Sequence, residues 1–232
     1  TYGGSTIAAV FVEPIAGSTG VLVPPKGYLE RLREICDEHG ILLVFDEVIP
    51  GFGRLGQAFA SQAFGVTPYV MTMAKALTNG AQPMGAVAVR DEVYTTITEA
   101  APENSIEFFH GYTYSGHPAA CAAGIAVQKI YTEELSFEKA AGLSNYFLDG
   151  LFSLRDLDSV LDIRGYGLMG GVELKAKGAP GALGTQIQKD LFWNGMHTKF
   201  TGDVGIVAPP FASEKEHIDE MIDKLRMTLE VV

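Results

Sequence analysis

The run from Ile7 to Glu13 (IAAVFVE) is continuously apolar, rich in small and β-branched residues and ended by Pro14, which predicts a strand buried on both faces. A turn-rich stretch, Ala16 to Pro25, follows. From Lys26 to His39, Leu29, Leu32, Ile35 and Cys36 recur at helical spacing, and Gly40 suits the left-handed position after a helix end. Ile41 to Asp46 (ILLVFD) then reads as a second buried strand. Strand, helix, strand with continuously apolar strands predicts a parallel sheet with crossovers. Tyr69 to Met73 and Gly85 to Val89 extend it as two further core strands.

His117 to Glu134 predicts a long helix, Ala-rich in its first half, that connects two units. Beyond it the texture changes. A helix from Ser136 to about Leu154 precedes a strand region, Val160 to Leu174, interrupted by Gly165, Gly167, Gly170 and Gly171. A helix near Ala182 to Asn194, short strands around His197 to Phe200 and Gly205 to Val207, and a terminal helix from Glu214 complete the pattern. The expected division is residues 1–134 and 135–232, the second being a smaller α/β unit around an antiparallel sheet. No internal repeat or low-complexity linker interrupts it.

Composition narrows the class. With 47% hydrophobic residues the chain has enough apolar material for a core, so disorder is excluded as its main state. Lys plus Arg is 17 against 28 for Asp plus Glu, a net charge of −11 that repels phosphate backbones and argues against nucleic acid as a partner. The two cysteines, Cys36 and Cys121, form no metal spacing and read as small buried hydrophobes in a reducing compartment. No apolar run approaches the ~20 residues of a membrane span, and no segment resembles a signal peptide, so a cytoplasmic protein with no membrane partner and no metal is expected.

Three features sit at strand ends, the edge where open α/β sheets bind ligands. Asp46 closes ILLVFD and leads through Glu47 and Val48 into the glycine-rich Pro50-Gly51-Phe52-Gly53-Arg54; a carboxylate there calls for a cation, and a structural salt bridge to Arg54 is the alternative to a ligand role. Lys75, in Met73-Ala74-Lys75-Ala76-Leu77, has apolar and small neighbours that suit an amine nucleophile, against the alternative of a solvated surface charge. His110 to Pro118 (HGYTYSGHP) puts hydroxyls and backbone N–H groups before a helix, either as a phosphate anchor or as an ordinary N-cap turn at Ser115 or His117. Together they match pyridoxal 5′-phosphate, which needs a lysine for its aldehyde, an acid for its ring nitrogen and an anchor for its phosphate. Lys75, Asp46 and Thr113 fill those places.

The motifs VEPIAGSTGVLVPPKGYLERLREICDEHGILLVFDEV, GFGRLG, GVTP, MTMAKALTNG, PMGAVAV and FFHGYTYSGHPAACAAG resemble the class III, fold type I aminotransferases, and most closely their ω-amino acid:pyruvate (β-alanine:pyruvate) branch. The resemblance implies an α/β fold. Residues 1–134 would be the C-terminal part of a large cofactor-binding domain, with an equally long stretch preceding Thr1 in relatives, and 135–232 a small C-terminal domain. It further implies that Lys75 and Asp46 are catalytic, that Val48 packs on the cofactor ring, and that Glu13 supports the site from the adjacent strand. Tyr112 and Thr113 would reach phosphate bound in the other subunit of a homodimer or dimer of dimers. The implied reaction moves an amino group from an ω-amino acid or amine such as β-alanine to pyruvate. Taurine or diamine donors are the enzymatic alternatives, and an inactive truncated homologue used only for dimerisation or binding is the other.

Ser18 and Ile49 stand where relatives that use 2-oxoglutarate carry glutamate and glutamine, which favours pyruvate. Other positions depart from the branch. Lys199, in Lys199-Phe200-Thr201-Gly202-Asp203, replaces the arginine expected to bind substrate carboxylate, Pro50 replaces a threonine and Tyr69 an aspartate. Lysine offers a point charge where arginine offers a fork.

Overall fold

The first sheet contains β1 (Ala9–Val12), β2 (Leu42–Asp46), β3 (Val70–Met73) and β4 (Ala86–Val89), in that spatial order. The computed structural model describes residues 3–106, 108 and 110–232. β2 pairs in parallel with both β1 and β3, while β4 runs antiparallel to β3, so the sheet is mostly parallel. The crossover from β1 to β2 is α1 (Tyr28–His39), which packs Leu29 and Cys36 against Leu43 and Phe45. It stops where Gly40 takes φ 65° and its N–H turns back to the Asp37 and Cys36 carbonyls, a conformation glycine adopts without Cβ strain.

Burial on both faces holds for β2, whose Leu43, Val44 and Phe45 are enclosed. It does not hold for the other two expected core strands at the sheet's edges. Phe11 of β1 is 72% exposed and Val87 of β4 is 64% exposed, because β1 and β4 are edge strands with no strand beyond them among the described residues. Two helices lie where the apolar pattern announces none, α2 (Ala60–Ala63) and α3 (Asp91–Glu99).

The connecting helix is α4 (Pro118–Glu133), with Pro118 in the first helical turn, where its missing N–H costs nothing. Next come α5 (Ser136–Phe152), β5 (Val160–Tyr166), β6 (Met169–Leu174), α6 (Ala182–Trp193), β7 (Lys199–Thr201), β8 (Val204–Val207) and α7 (Lys215–Leu229). The second sheet is antiparallel throughout, ordered β5-β6-β8-β7. α5, α6 and α7 supply Phe147, Leu151, Ile187 and Leu225 to a core shared with Ile163 and Val172 of this sheet. The glycine-broken region is a hairpin that turns at Gly167, φ 61°. A Cβ on Gly167 would lie 2.6 Å from Leu55 Cα and 2.7 Å from Arg54 O, so the residue is set by contact with the first half of the chain.

Cys36 is buried and Cys121 half-buried, both as free thiols. Among the described residues no helix is long and apolar enough to cross a membrane, and no cluster of His, Cys, Asp and Glu is arranged to hold a metal.

Candidate active site

Because β1, β2 and β3 are parallel, their carboxyl ends share one edge. Asp46 is the last residue of β2, level with Thr72 of β3, and one step beyond the Val12–Phe45 pair. Glu13 follows β1 and Lys75 follows β3 by two residues, so the sheet brings all three to the same rim.

The Asp46 carboxylate is half-buried and accepts the Val48 N–H at Oδ1, 3.0 Å away. Oδ2 has no partner among the described residues. Since no fully enclosed side-chain oxygen or nitrogen there lacks a hydrogen bond, Oδ2 is not fully enclosed. Glu47, next in sequence, is fully buried and accepts N–H bonds from Ala60 at 2.9 Å and Ser61 at 2.8 Å. Burial pushes its carboxyl up, the two N–H bonds oppose that, and neighbouring Asp46 adds to the rise. Glu47 thereby ties the far side of the 51–61 loop to the end of β2.

The expected salt bridge between Asp46 and Arg54 is not formed. Arg54 instead donates from Nη1 to the carbonyls of Leu168, at 3.1 Å, and Pro209, at 2.6 Å, and lies 4.8 Å from the centre of the Phe211 ring. Enclosure of the charge pushes its pKa down to about 10, with Tyr131 acting in the opposite direction.

Lys75 opens a single 3₁₀ turn, Lys75–Leu77, with φ 45°, a conformation costly for a residue with a Cβ unless its surroundings impose it. They do so through α4. Tyr131 Oη donates to Ala76 O at 2.9 Å and Gln128 Nε2 to Leu77 O at 3.4 Å, while the buried Thr78 donates from Oγ1 to Gln82 O at 2.6 Å. The side chain of Lys75 is exposed into a cavity of about 510 Å³. Ser18, Val48, Ile49 and Arg54 line it from the first half of the chain and Lys199 of β7 from the second. Arg54, Lys75 and Lys199 line this cavity and, among the described residues, no acidic residue does, in a chain of net charge −11. Such a lining attracts anions.

The remaining expected residues divide. Glu13 accepts the N–H of Gly17, a cavity-lining residue, at 2.9 Å, and so acts on the cavity through the backbone. Ser18 is held from the second sheet by Thr201 Oγ1, 2.8 Å from its carbonyl. Ile49 fills the space beside Gly17, where a Cβ would meet its Cδ1 at 2.8 Å. Pro50 sits inside a turn closed by Gly51 N–H to Glu47 O at 3.0 Å. Tyr69 lies at the opposite rim, before β3, between the guanidinium groups of Arg33 and Arg90 at 4.2 and 4.7 Å from its ring centre.

Tyr112 and Thr113 are not brought to Lys75. Both are exposed, Tyr112 by 76%, in the turn before α4. The neighbouring Tyr114 to His117 line a separate cavity of about 470 Å³ with Gln82 to Gly85. His117 takes the helix N-cap position without a side-chain cap bond. The residues that sequence reasoning missed are Glu47, Thr78 and Tyr131, which act by holding loops. Only the buried-acid position of Glu47 directly after an apolar strand carried a signal.

The profile of the class-III aminotransferases matches residues 2–229, and the chain belongs to that family. It is 52% identical over 98% of its length to an omega-aminotransferase of Caulobacter vibrioides, and 47% identical over 96% to a beta-alanine–pyruvate aminotransferase of Pseudomonas aeruginosa. It covers 52% and 50% of those proteins respectively, so the chain spans about half the length of the curated relatives it matches. Among solved structures, the ω-transaminase of Pseudomonas jessenii in complex with PMP superposes with a TM-score of 0.90 at 34% identity, over 99% of this chain and 52% of that one. Fold type I is therefore the architecture to which the two sheets belong.

Proposed function

We propose that the protein containing this chain is a pyridoxal-phosphate-dependent transaminase that moves an amino group from an ω-amino acid or amine, such as β-alanine, to pyruvate, giving alanine. The observation that carries the reading is the placement of Lys75 and Asp46 at the ends of adjacent parallel strands, where Lys75 lines a cavity that Lys199 lines from the other sheet. The donor set fits the cofactor: an amine exposed into the cavity, a carboxylate with one open oxygen, and a volume within the ~300–1,000 Å³ usual for such sites. When bound, the cofactor supplies an electrophilic aldehyde and an electron-withdrawing ring.

With the cofactor bound, Lys75 would be the amine that holds its aldehyde carbon and, once a donor amine takes that place, the base that would move a proton from the donor carbon. Asp46 would hold the ring nitrogen in its protonated form. Val48 would pack against the ring, and Glu13 holds Gly17 at the cavity wall. Lys199 receives the carboxylate of β-alanine or pyruvate as a point charge, and Ser18 with Ile49 leaves no glutamate or glutamine to serve 2-oxoglutarate.

Residues 1–134 are assigned to the large domain and 135–232 to the small one, on the separation of the two sheets. Tyr112 and Thr113 are assigned to the phosphate of a partner subunit in a cytoplasmic homodimer or dimer of dimers. The cluster of exposed Ile106, Phe108, Tyr112 and Tyr114 supports burial against a second copy. The test is alanine formation from β-alanine and pyruvate by the intact holoenzyme. Lys75→Ala should abolish it while circular dichroism is retained, and turnover by that variant at the parental rate would end the assignment.

A further inference from the structure

We infer that Arg54 is the positioning residue that sets Lys199 against Lys75, by clamping the carboxyl end of β8 to the loop that follows β2; this rests on the transaminase reading for its catalytic consequence only. Arg54 is half-buried and makes no ion pair among the described residues, although enclosing a cation without a counter-ion is costly. Both its hydrogen bonds cross to the second half of the chain. One goes to Leu168 in the β5–β6 turn, and that bond is reciprocated, since Leu168 N–H donates to Arg54 O at 3.0 Å. The other goes to Pro209, just past β8.

β8 is the strand against which Lys199 is registered, through the Lys199–Ile206 pair. The guanidinium therefore links two rigid pieces: the strand carrying Asp46 on one side, and the strand that fixes Lys199 on the other. Phe211 closes the far face of the guanidinium and also lines the Lys75 cavity. Gly167 shows how close the approach is, since no side chain fits between the turn and the Arg54 backbone.

One nitrogen, Nη1, makes both carbonyl bonds, so a single charged donor of nearly the same reach keeps more of their strength than a shorter, uncharged amide. In the intact holoenzyme, Arg54→Gln should raise the apparent KM for pyruvate about 10-fold, an interaction of ordinary size between coupled residues, and leave the donor half-reaction with an amine lacking a carboxylate within about twofold. Arg54→Lys should restore most of the loss. In a Lys199→Ala background the Arg54→Gln effect on KM should shrink to under about twofold, because the ammonium that the clamp positions is gone.

Hydrogen exchange of the apoprotein gives a readout independent of turnover. Arg54→Gln should accelerate exchange in residues 204–211 relative to the parent, and Arg54→Lys should not. Phe211→Leu, which keeps every hydrogen-bonding group, should give the same KM-selective loss and serves if Arg54→Gln does not fold. Unchanged exchange in 204–211, equal loss with both donor types, or an undiminished effect in the Lys199→Ala background would each overturn the clamp. Failure of the parent holoenzyme to transaminate would overturn the functional reading instead, and the exchange arm would still decide the clamp.

Discussion

Lys75 and Lys199 line one cavity from two different sheets. Among the described residues no lining acid neutralises either, so a substrate that brings its own carboxylate completes the charge balance. Specificity at this cavity consequently depends on how well Lys199 meets that carboxylate.

Replacing Lys199 with arginine should lower the apparent KM for β-alanine and for pyruvate, as two parallel charge-assisted bonds replace one flexible contact. The gain should be about 1 kcal/mol, and Lys199→Ala should move KM the other way. Single-turnover donor half-reactions with β-alanine and with an amine lacking a carboxylate check it. Equal effects on the two donors would show that Lys199 does not meet the carboxylate.

Asp46→Asn should preserve the fold and most cofactor affinity while slowing chemistry by about 10²- to 10⁴-fold, because an amide does not hold the ring nitrogen protonated. The Val48 N–H bond survives through the amide oxygen, so the loop stays in place. Presteady-state absorbance with a saturating donor measures the rate directly.

Glu47 predicts a pH dependence of stability. Its folded pKa lies above its unfolded one, chiefly through burial, so the native state binds more protons in that window. Its contribution must therefore fall as pH rises through the window, upward from about 4.3. Glu47→Gln removes this titration and leaves one of the Ala60 and Ser61 N–H groups without an acceptor, a loss of about 1–3 kcal/mol. Thermal unfolding of parent and variant at several pH values should show the gap narrowing as pH increases, and a gap that widens would contradict the burial argument.

Tyr69→Ala should cost about 1–2 kcal/mol, through loss of two stacked guanidinium groups, yet leave turnover unchanged. The ring stands at the rim opposite Lys75, and its hydroxyl donates to Asp37 Oδ1 at 3.1 Å, which ties it to α1. Melting temperature and kcat, measured together, test the separation.

What sequence could and could not show follows from the range of the interactions. β2, the α1 stop at Gly40 and the α4 start at Pro118 are local signals, and each appears where the pattern puts it. The short α3 does not announce itself, because DEVYTTITE is rich in threonine and β-branched residues of weak helix propensity. Gly167 reads as a strand interruption, but its reason lies in Leu55, far away in sequence. Arg54 invites pairing with the nearest acid, whereas its actual acceptors are 114 and 155 positions away. Tyr131, which holds the Lys75 turn, looks like any helix aromatic until the helix is docked. The candidate residues Lys75 and Asp46 were legible as strand-end chemistry, while the groups that aim them were not.

If Lys75 is the amine that bonds the cofactor, borohydride reduction of the intact holoenzyme followed by peptide mapping should give a single pyridoxyl adduct on the peptide containing Met73-Ala74-Lys75-Ala76, lost in Lys75→Ala. An adduct on any other lysine, or one that persists in Lys75→Ala, would contradict it.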